Sequence, residues 1–393
     1  MKAMRNSLFR FAAIGGLITA VVGAQTAAMN AAFAAPPDPA GQYIVVLKPT
    51  AQPNAPAPAV GRARGIGVRV DREFRQSVNG YVARLNTQQL NTVRADPDVD
   101  YVEADKVVHA DITQRRPDWG LDRVDQRERP LDHKYVYDST GARVTAYIVD
   151  TGIRTSHKDF GGRASSGFSS IDDGHGTDDC NGHGTHVAGT VGGSTYGIAK
   201  SVRLVAVRVL DCDGFGTVSG VIAGIDWITA HHASPAVVNV SLEGDASRAL
   251  DSAVRQSINA GLTYSVSAGN GGSDACDFSP ARLPRAITVG ATTTEDSRDT
   301  SYSNFGTCVD LFAPGTDVTS DWSASDTATN TISGTSMAAP HVTGAAALYL
   351  ETHPDAGPDR VRTALVTAAV PGVLTNVGNG SPNALLYSRG TAR

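Results

Sequence analysis

The chain reads as an α/β protein with a doubly wound, mostly parallel sheet, preceded by a small α+β unit. Three observations predict this. From Trp119 onward, apolar runs such as "VTAYIVD", "VRLVAVRVL", "AVVNVSL", "LTYSVSAGN" and "AITVGAT" recur along the chain; continuous runs of this kind suit parallel strands buried on both faces. Segments of helical length separate them, notably "TVSGVIAGIDWITAHHA" and "ASRALDSAVRQSINAG", as a wound sheet requires. Before Trp119, "GQYIVVLKP", "GYVARLN" and "DYVEADKVVHA" are strand-like and "TQQLNTVRADPDV" reads as a short helix stopped before Pro97. No repeat at a fixed period is apparent.

In chain order, the first element is an export leader. Lys2, Arg5 and Arg10 flank the start of the apolar run "FAAIGGLITAVVGA", and "AFA" at Ala32 to Ala34 offers small residues to a signal peptidase. The run is about 14 residues where a span needs roughly 20. Residues 1–34 are therefore expected to be removed, leaving a secreted, soluble product with no membrane association. After "GQYIVVLKP", the Pro-, Ala- and Gly-rich stretch "TAQPNAPAPAVGRARG" reads as a flexible loop. The α+β unit then runs to about residue 110, and one large domain follows.

Composition narrows the partners. A formal net charge of -5 and 41% hydrophobic residues describe an ordinary globular protein without the basic footprint of a nucleic-acid binder. Four cysteines, Cys180, Cys212, Cys276 and Cys308, in an exported chain suggest disulfides. Three connectivities are possible. Sequential pairing would contribute about 3–4 kcal/mol per bridge in the chain-entropy picture. A zinc reading is poor because no Cys-x-x-Cys occurs.

Four short segments carry chemistry. "VTAYIVDTGI" ends a strand on Asp150, and the carboxyl ends of strands in a wound sheet face the functional crevice. "NGHGTHVAG" places His183 and His186 three residues apart, which suits either a metal pair or a catalytic base with a structural neighbour. "ISGTSMAAPHVTGAAALYL" sets Ser336 at the opening of an alanine-rich helix, where developing negative charge is stabilised; Pro340 is expected in its first turn. "SVSAGNGG" places Asn270 in a glycine turn after a strand. Singly, each has a bland alternative: a turn for Asp150 and Asn270, an N-cap for Ser336.

Together, "DTGI", "GHGTHVAG", "SAGN" and "GTSMAAPH", in the order acid, histidine, serine, resemble the catalytic segments of the subtilisin-like serine proteases, nearest the proteinase K and aqualysin branch. The resemblance covers Trp119 to the C-terminus. It implies a subtilisin-like sheet, Asp150, His183 and Ser336 as catalytic triad, and Asn270 as oxyanion donor. His186 then becomes a packed structural residue. The small unit is similar to subtilase propeptides, which assist folding and inhibit with their tail in the cleft. That implies a propeptide at 35–110, a protease domain at 111–393, a self-processed precursor and a monomeric endopeptidase acting on proteins and peptides.

The resemblance also implies binding residues. Extended substrate is expected between Gly214, Gly216 and Val218 on one side and Ser241, Leu242, Glu243 and Gly244 on the other. Here the chain departs from the family, which usually has glycine where Glu243 stands; its carboxylate either turns to solvent or forms an acidic wall on the primary pocket. Structural calcium is implied at Asp122, Asp125, Gln126 and Asp132, all oxygen donors, and at Asp310 with main-chain oxygens of Pro284 and Ala286. Val373 replaces an aspartate needed at another family calcium position. The acidic cluster Asp172, Asp173, Asp178 and Asp179 reads as a solvated loop rather than a further site. Sequential cysteine pairing, Cys180 with Cys212 and Cys276 with Cys308, matches the aqualysin-type bridges.

Overall fold

The computed structural model describes residues 41–48, 58–105 and 112–389. The export leader and the expected maturation point at Ala110 lie outside these residues. The chain divides into two compact units near residue 108.

In the first unit, β1 (Gly41–Leu47), β2 (Val70–Phe74), β3 (Gly80–Leu85) and β4 (Val99–Ala104) form an antiparallel sheet in the order β2-β3-β1-β4. Val45, Leu47, Tyr81, Ala83 and Leu85 pack against Ala59, Val60 and Ala63 of helix α1 (Pro58–Gly65) and Val93 of α2 (Thr87–Arg94). Helix α2 starts where Asn86 and Gln89 exchange side-chain and main-chain hydrogen bonds in a capping box. Helix α1 corrects the loop reading of "TAQPNAPAPAVGRARG" for residues 58–65; residues 50–57 of that stretch lie outside the described residues. Pro58 opens it with its φ already helical, and burial of three small apolar residues on one face outweighs the loop-like composition.

The second unit opens with an antiparallel pair, β5 (Ile112–Arg115) and β6 (Lys134–Tyr137), with α3 (Trp119–Val124) between them in sequence. The seven longer strands of its sheet run parallel: β7 (Thr145–Asp150), β8 (Ala164–Ser169), β9 (Arg203–Arg208), β10 (Ala236–Val240), then, beyond the short β11 (Gly244–Asp245), β12 (Thr263–Ser267), and beyond the short β13 (Phe278–Ser279), β14 (Ile287–Thr292) and β15 (Leu311–Pro314). β11 and β13 pair with each other, as do β16 (Val318–Asp321) and β17 (Thr329–Ile332). Two last short strands, β18 (Val370–Pro371) and β19 (Ala384–Leu385), complete the order β18-β19-β15-β14-β12-β10-β7-β9-β8.

Alternate residues of β7 serve two cores. Ala146 and Ile148 pack with α4 (His183–Gly192) and α7 (Thr335–Thr352), while Tyr147 and Val149 pack with α5 (Val218–His231) and α6 (Arg248–Asn259). This two-sided burial is why the strands read as unbroken apolar runs. β7 lies between β9 and β10, with chain continuing to opposite sides of it. Its carboxyl end, Asp150, therefore sits at a topological switch point, where a crevice opens. Among the described residues, no helix is long and apolar enough to cross a membrane.

Residues far apart in sequence close the unit. Arg123, buried in α3, pairs with Asp296 at 2.7 Å, and the backbone N–H of Ser388 donates to the Val124 carbonyl at 2.7 Å. Trp119 donates its indole N–H to the Thr316 carbonyl at 3.1 Å. Helix α8 (Pro358–Ala368) adds Val361 and Leu365 to the same core.

One buried group stands out. Asp321, at the end of β16, is fully buried with neither carboxylate oxygen hydrogen-bonded, 3.5 Å from the Nδ1 of His157. Burial, reinforced by the nearby charge of Asp159, pushes its carboxyl up to about 8, although Arg163 pulls the other way. The folded state thus holds a proton there that the unfolded chain releases near the ordinary value of 3.8. Stability from this group is therefore lost as pH rises from about 4 to about 8. Asp321→Asn should flatten that part of the stability–pH curve and gain on the order of 1–3 kcal/mol relative to wild type at pH 9 compared with pH 5. Thermal unfolding at both pH values tests this; parallel curves for the two proteins would exclude Asp321 as the titrating group.

Candidate active site

The crevice at the end of β7 is built around Asp150 and His183. Asp150 is fully buried, and its Oδ1 accepts from the Thr151 backbone N–H at 2.8 Å and lies 2.7 Å from His183 Nδ1. Burial alone would lower the pKa of His183, but the Asp150 charge and hydrogen bond outweigh it and hold the imidazole above its usual 6.5. The pairing also assigns the tautomer: with Nδ1–H on the carboxylate, Nε2 is free to take a proton.

His183 opens α4, and the residue that positions that helix is Asp179. It is buried, with Oδ1 accepting from Thr151 Oγ1, Asn181 N and Gly182 N and Oδ2 from Thr185 N and Oγ1, all at 2.6–3.0 Å. The carboxylate satisfies the first-turn N–H of Thr185, which the helix cannot, and the N–H groups of the two residues that lead into it. This corrects the solvated-loop reading for Asp179. Asp173 is corrected too: it forms a bidentate pair with the buried Arg208 guanidinium at 2.6 and 2.7 Å, which holds its carboxyl well below the usual range. Gly182 has φ +116°, and a Cβ there would lie 2.4 Å from the Trp322 ring, so the turn into α4 requires glycine.

Ser336 sits at the second residue of α7. Pro340 is not in the first turn but at the sixth helical position, where its missing N–H leaves the Ser336 carbonyl without an intrahelical donor. Ser241 Oγ fills the gap, donating to that carbonyl at 2.9 Å, while Ser336 Oγ donates to the Ser241 carbonyl at 3.3 Å. Ser241 Oγ itself accepts from Asn239 Nδ2, and Thr343 Oγ1 donates to Asn239 Oδ1. The serine hydroxyl thus rests on Ser241 rather than on His183, a loose arrangement common in uncomplexed catalytic groups. Asn270 is tied to the same helix: its Oδ1 accepts from Thr335 N at 2.8 Å and Thr335 Oγ1 at 3.0 Å. With Oδ1 engaged, Nδ2 is the end left to donate.

A cleft of about 460 Å³ lies beside His183, and Gly214, Gly216, Val218, Ser241, Leu242, Glu243 and Gly244 all line it. Glu243 does not simply turn to solvent: its Oε2 accepts from the Asn270 backbone N–H at 3.0 Å. His186 is elsewhere. It is fully buried with Nε2 3.0 Å from the Val318 carbonyl, and burial pushes its pKa down to about 3, so the two histidines do not form a metal pair.

The proposed calcium ligands differ between sites. At the first, Asp122 is buried and accepts from Asp132 N and His133 N, and Asp125 accepts from Val136 N with Oδ2 while its buried Oδ1 has no partner. Burial, together with the charges of Asp122 and Asp132, pushes Asp125 up to about 7. Gln126 donates Nε2 to the Glu128 and Pro130 carbonyls. Asp132 is engaged by Lys134, accepting from its N–H at 3.1 Å and pairing with its Nζ at 3.0 Å. The orphaned Asp125 oxygen fits a hard cation, and Asp132 joins such a site only on releasing Lys134. At the second, Asp310 gives one oxygen to Thr288 N at 2.8 Å and the other to the Arg362 guanidinium. Arg362 supplies the positive charge expected of an ion there, and Asp310, Pro284 and Ala286 do not fit one. Among the described residues, the ligand atoms of Asp173, His175, Cys180 and Cys212 all lie within 4.8 Å of one another, but both sulfurs are in a disulfide and Asp173 is held by Arg208. The bridges are Cys180–Cys212 and Cys276–Cys308.

Comparison with known proteins agrees with this geometry. Residues 141–382 match the subtilase family and residues 42–111 the peptidase inhibitor I9 family. The chain belongs to the subtilase family and is a serine endopeptidase preceded by an inhibitor-type propeptide domain. It is 53% identical to the extracellular serine proteinase of Thermus sp. strain Rt41A over 88% of this chain and 89% of that one. It is 42% identical to a cuticle-degrading serine protease of Arthrobotrys oligospora over 98% and 99%. A solved structure of a cold adapted subtilisin-like serine proteinase, 51% identical, covers 70% of this chain and 98% of its own with a TM-score of 0.67.

Because a base must be neutral, kcat/KM should fall on the acid side through a pKa above 6.5. Asp150→Asn should move that limb to lower pH and reduce kcat on the order of 10⁴-fold, the loss known for the subtilisin carboxylate. Peptide hydrolysis from pH 5 to 10 measures both, and an unmoved limb would detach His183 from Asp150.

Proposed function

We propose that this chain is a secreted endopeptidase that acts through an Asp150–His183–Ser336 triad and matures by cutting its own propeptide. The observations that carry the reading are the 2.7 Å contact from His183 Nδ1 to Asp150 and the tie of Ser336 Oγ, at the start of α7, to Ser241, which lines the same cleft as His183. Ser336 Oγ attacks the scissile carbonyl carbon as its proton passes to His183 Nε2. The C–N bond breaks, the leaving amine takes that proton, and an acyl-enzyme remains. Water, deprotonated by the same imidazole, releases the acid. Negative charge on the carbonyl oxygen is met by the Ser336 N–H, which has no intrahelical acceptor, and by Asn270 Nδ2. Extended substrate adds as a strand between Gly214–Val218 and Ser241–Gly244. Export is supported by the leader sequence and by the extracellular proteinase of Thermus among its relatives.

Structural calcium is supported at Asp122, Asp125 and Gln126, with Asp132 added once it leaves Lys134, and a bound cation would hold together the segment around α3. It would take no part in the chemistry. Since an ion bound only to the folded form stabilises by mass action, excess chelator should shorten the half-life of the mature enzyme at elevated temperature, and Asp125→Ala should reproduce part of that loss. Equal inactivation rates with calcium and with chelator would dismiss the site.

Self-processing predicts that Ser336→Ala accumulates as a precursor beginning near Ala35, whereas wild type is cut at Ala110–Asp111. N-terminal sequencing from a protease-free host decides it: normal processing of the Ser336→Ala chain would overturn self-cleavage. Covalent labelling of Ser336 by a fluorophosphonate tests the nucleophile itself, and an unlabelled, folded enzyme would overturn the triad.

A further inference from the structure

Two chain segments flank Ser336. Ser241 is locked to it by reciprocal hydrogen bonds, and Asn270 is locked to its neighbour Thr335. On the peptidase reading, with the attacked carbonyl at Ser336 Oγ and its oxygen on Asn270 Nδ2, the side chain of that substrate residue enters between the segments carrying Ser241 and Asn270. Glu243 crosses that gap. Its backbone belongs to the Ser241–Gly244 wall, and its Oε2 reaches the Asn270 N–H at 3.0 Å. The crossing is made possible by Gly269, which has φ +102° and where a Cβ would lie only 2.0 Å from the same oxygen.

We propose that Glu243 is a specificity-determining residue that selects lysine or arginine on the acyl side of the scissile bond. The inference rests on the peptidase reading above and names its substrate class. Three features support it. The hydrogen bond to Asn270 fixes the carboxylate before substrate arrives, so little ordering remains to be done on binding. The second oxygen, Oε1, makes no hydrogen bond among the described residues, and the side chain is exposed. Among the described residues, no lysine or arginine is hydrogen-bonded or ion-paired to Glu243, whose backbone also forms part of the cleft beside His183. A cationic side chain entering the gap meets a preset acceptor, and such charge-assisted hydrogen bonds are strong. An aliphatic or aromatic side chain must instead strip water from the carboxylate or break its contact with Asn270.

The test compares wild type with Glu243→Gln and Glu243→Gly on peptides that differ only at this residue, carrying Arg, Lys, Leu or Phe. Glu243→Gln keeps an acceptor for the Asn270 N–H while removing the charge. The ratio of kcat/KM for Arg over Leu should fall about 10- to 100-fold in that variant, with Lys following Arg, and Glu243→Gly should invert the order in favour of Phe. Fluorophosphonate titration of Ser336 accompanies each assay. Labelled enzymes with the same Arg-to-Leu ratio in all three proteins would overturn the role of Glu243 and leave the peptidase reading intact. Absence of both labelling and hydrolysis would overturn both.

Discussion

Helix α7 is the constraint around which the second unit is arranged. Every residue from Thr335 to Leu350 is buried, so the helix cannot present a polar face anywhere along that stretch. It can approach its neighbours only through small residues: a Cβ on Gly344 would lie 2.5 Å from that of Ile198. Burial of this kind fixes the helix rigidly against β10, β12 and β14, and its first turn is carried to the carboxyl edge of the sheet. Ser336 is thus aimed by packing several turns away. Pro340 turns the same rigidity to use, since the carbonyl it leaves without a donor is the one Ser241 captures.

The electrostatics of the crevice follow from who is paired and who is buried. Asp179, with five hydrogen bonds converging on its carboxylate, acts as a keystone for the loop into α4. Asp150 spends one oxygen on Thr151 and His183 and leaves the other unpartnered and buried. The contrast is physical: the fully satisfied acid organises backbone, whereas the under-satisfied one holds His183 and keeps one buried oxygen without a partner. His186 and His341, both buried and pushed down to about 3 and about 4, stay neutral and serve only as packing and hydrogen-bonding groups.

Much of this was legible in the sequence, for identifiable reasons. The parallel strands could be read because burial on both faces imposes continuous apolar runs, and Asp150, His183, Asn270 and Ser336 because their segments carry glycines and small residues in a recognisable order. Helix α1 was not legible, since its Pro and Ala content is equally that of a loop until the sheet supplies a face to bury Val60. The role of Asp179 was hidden among neighbouring acids, although an aspartate shortly before a helix start is a capping signal that could have singled it out. Arg362 taking Asp310 and Ser241 meeting Ser336 join residues far apart in sequence, which no local pattern reports. Asp321 was equally invisible, because nothing in "DVTSDW" distinguishes a buried acid from a solvated one.

The stitching of Arg123 to Asp296 and of Val124 to Ser388 has a kinetic meaning. These bonds join the beginning of the second unit to its middle and to its last turn, as do Ser139 to Leu348 and Thr140 to Glu351. Loops of such length close before the contacts that reward closure exist, so the topology imposes a slow conformational search. It also means that the unit can close only once the chain has been made as far as Ser388. The reverse path is obstructed in the same way: α3 cannot detach without breaking its buried ion pair with Asp296 and its bond to Ser388. Long-range stitching of this kind favours resistance to the partial openings through which proteases act, a property of the unfolding barrier more than of the depth of the native well.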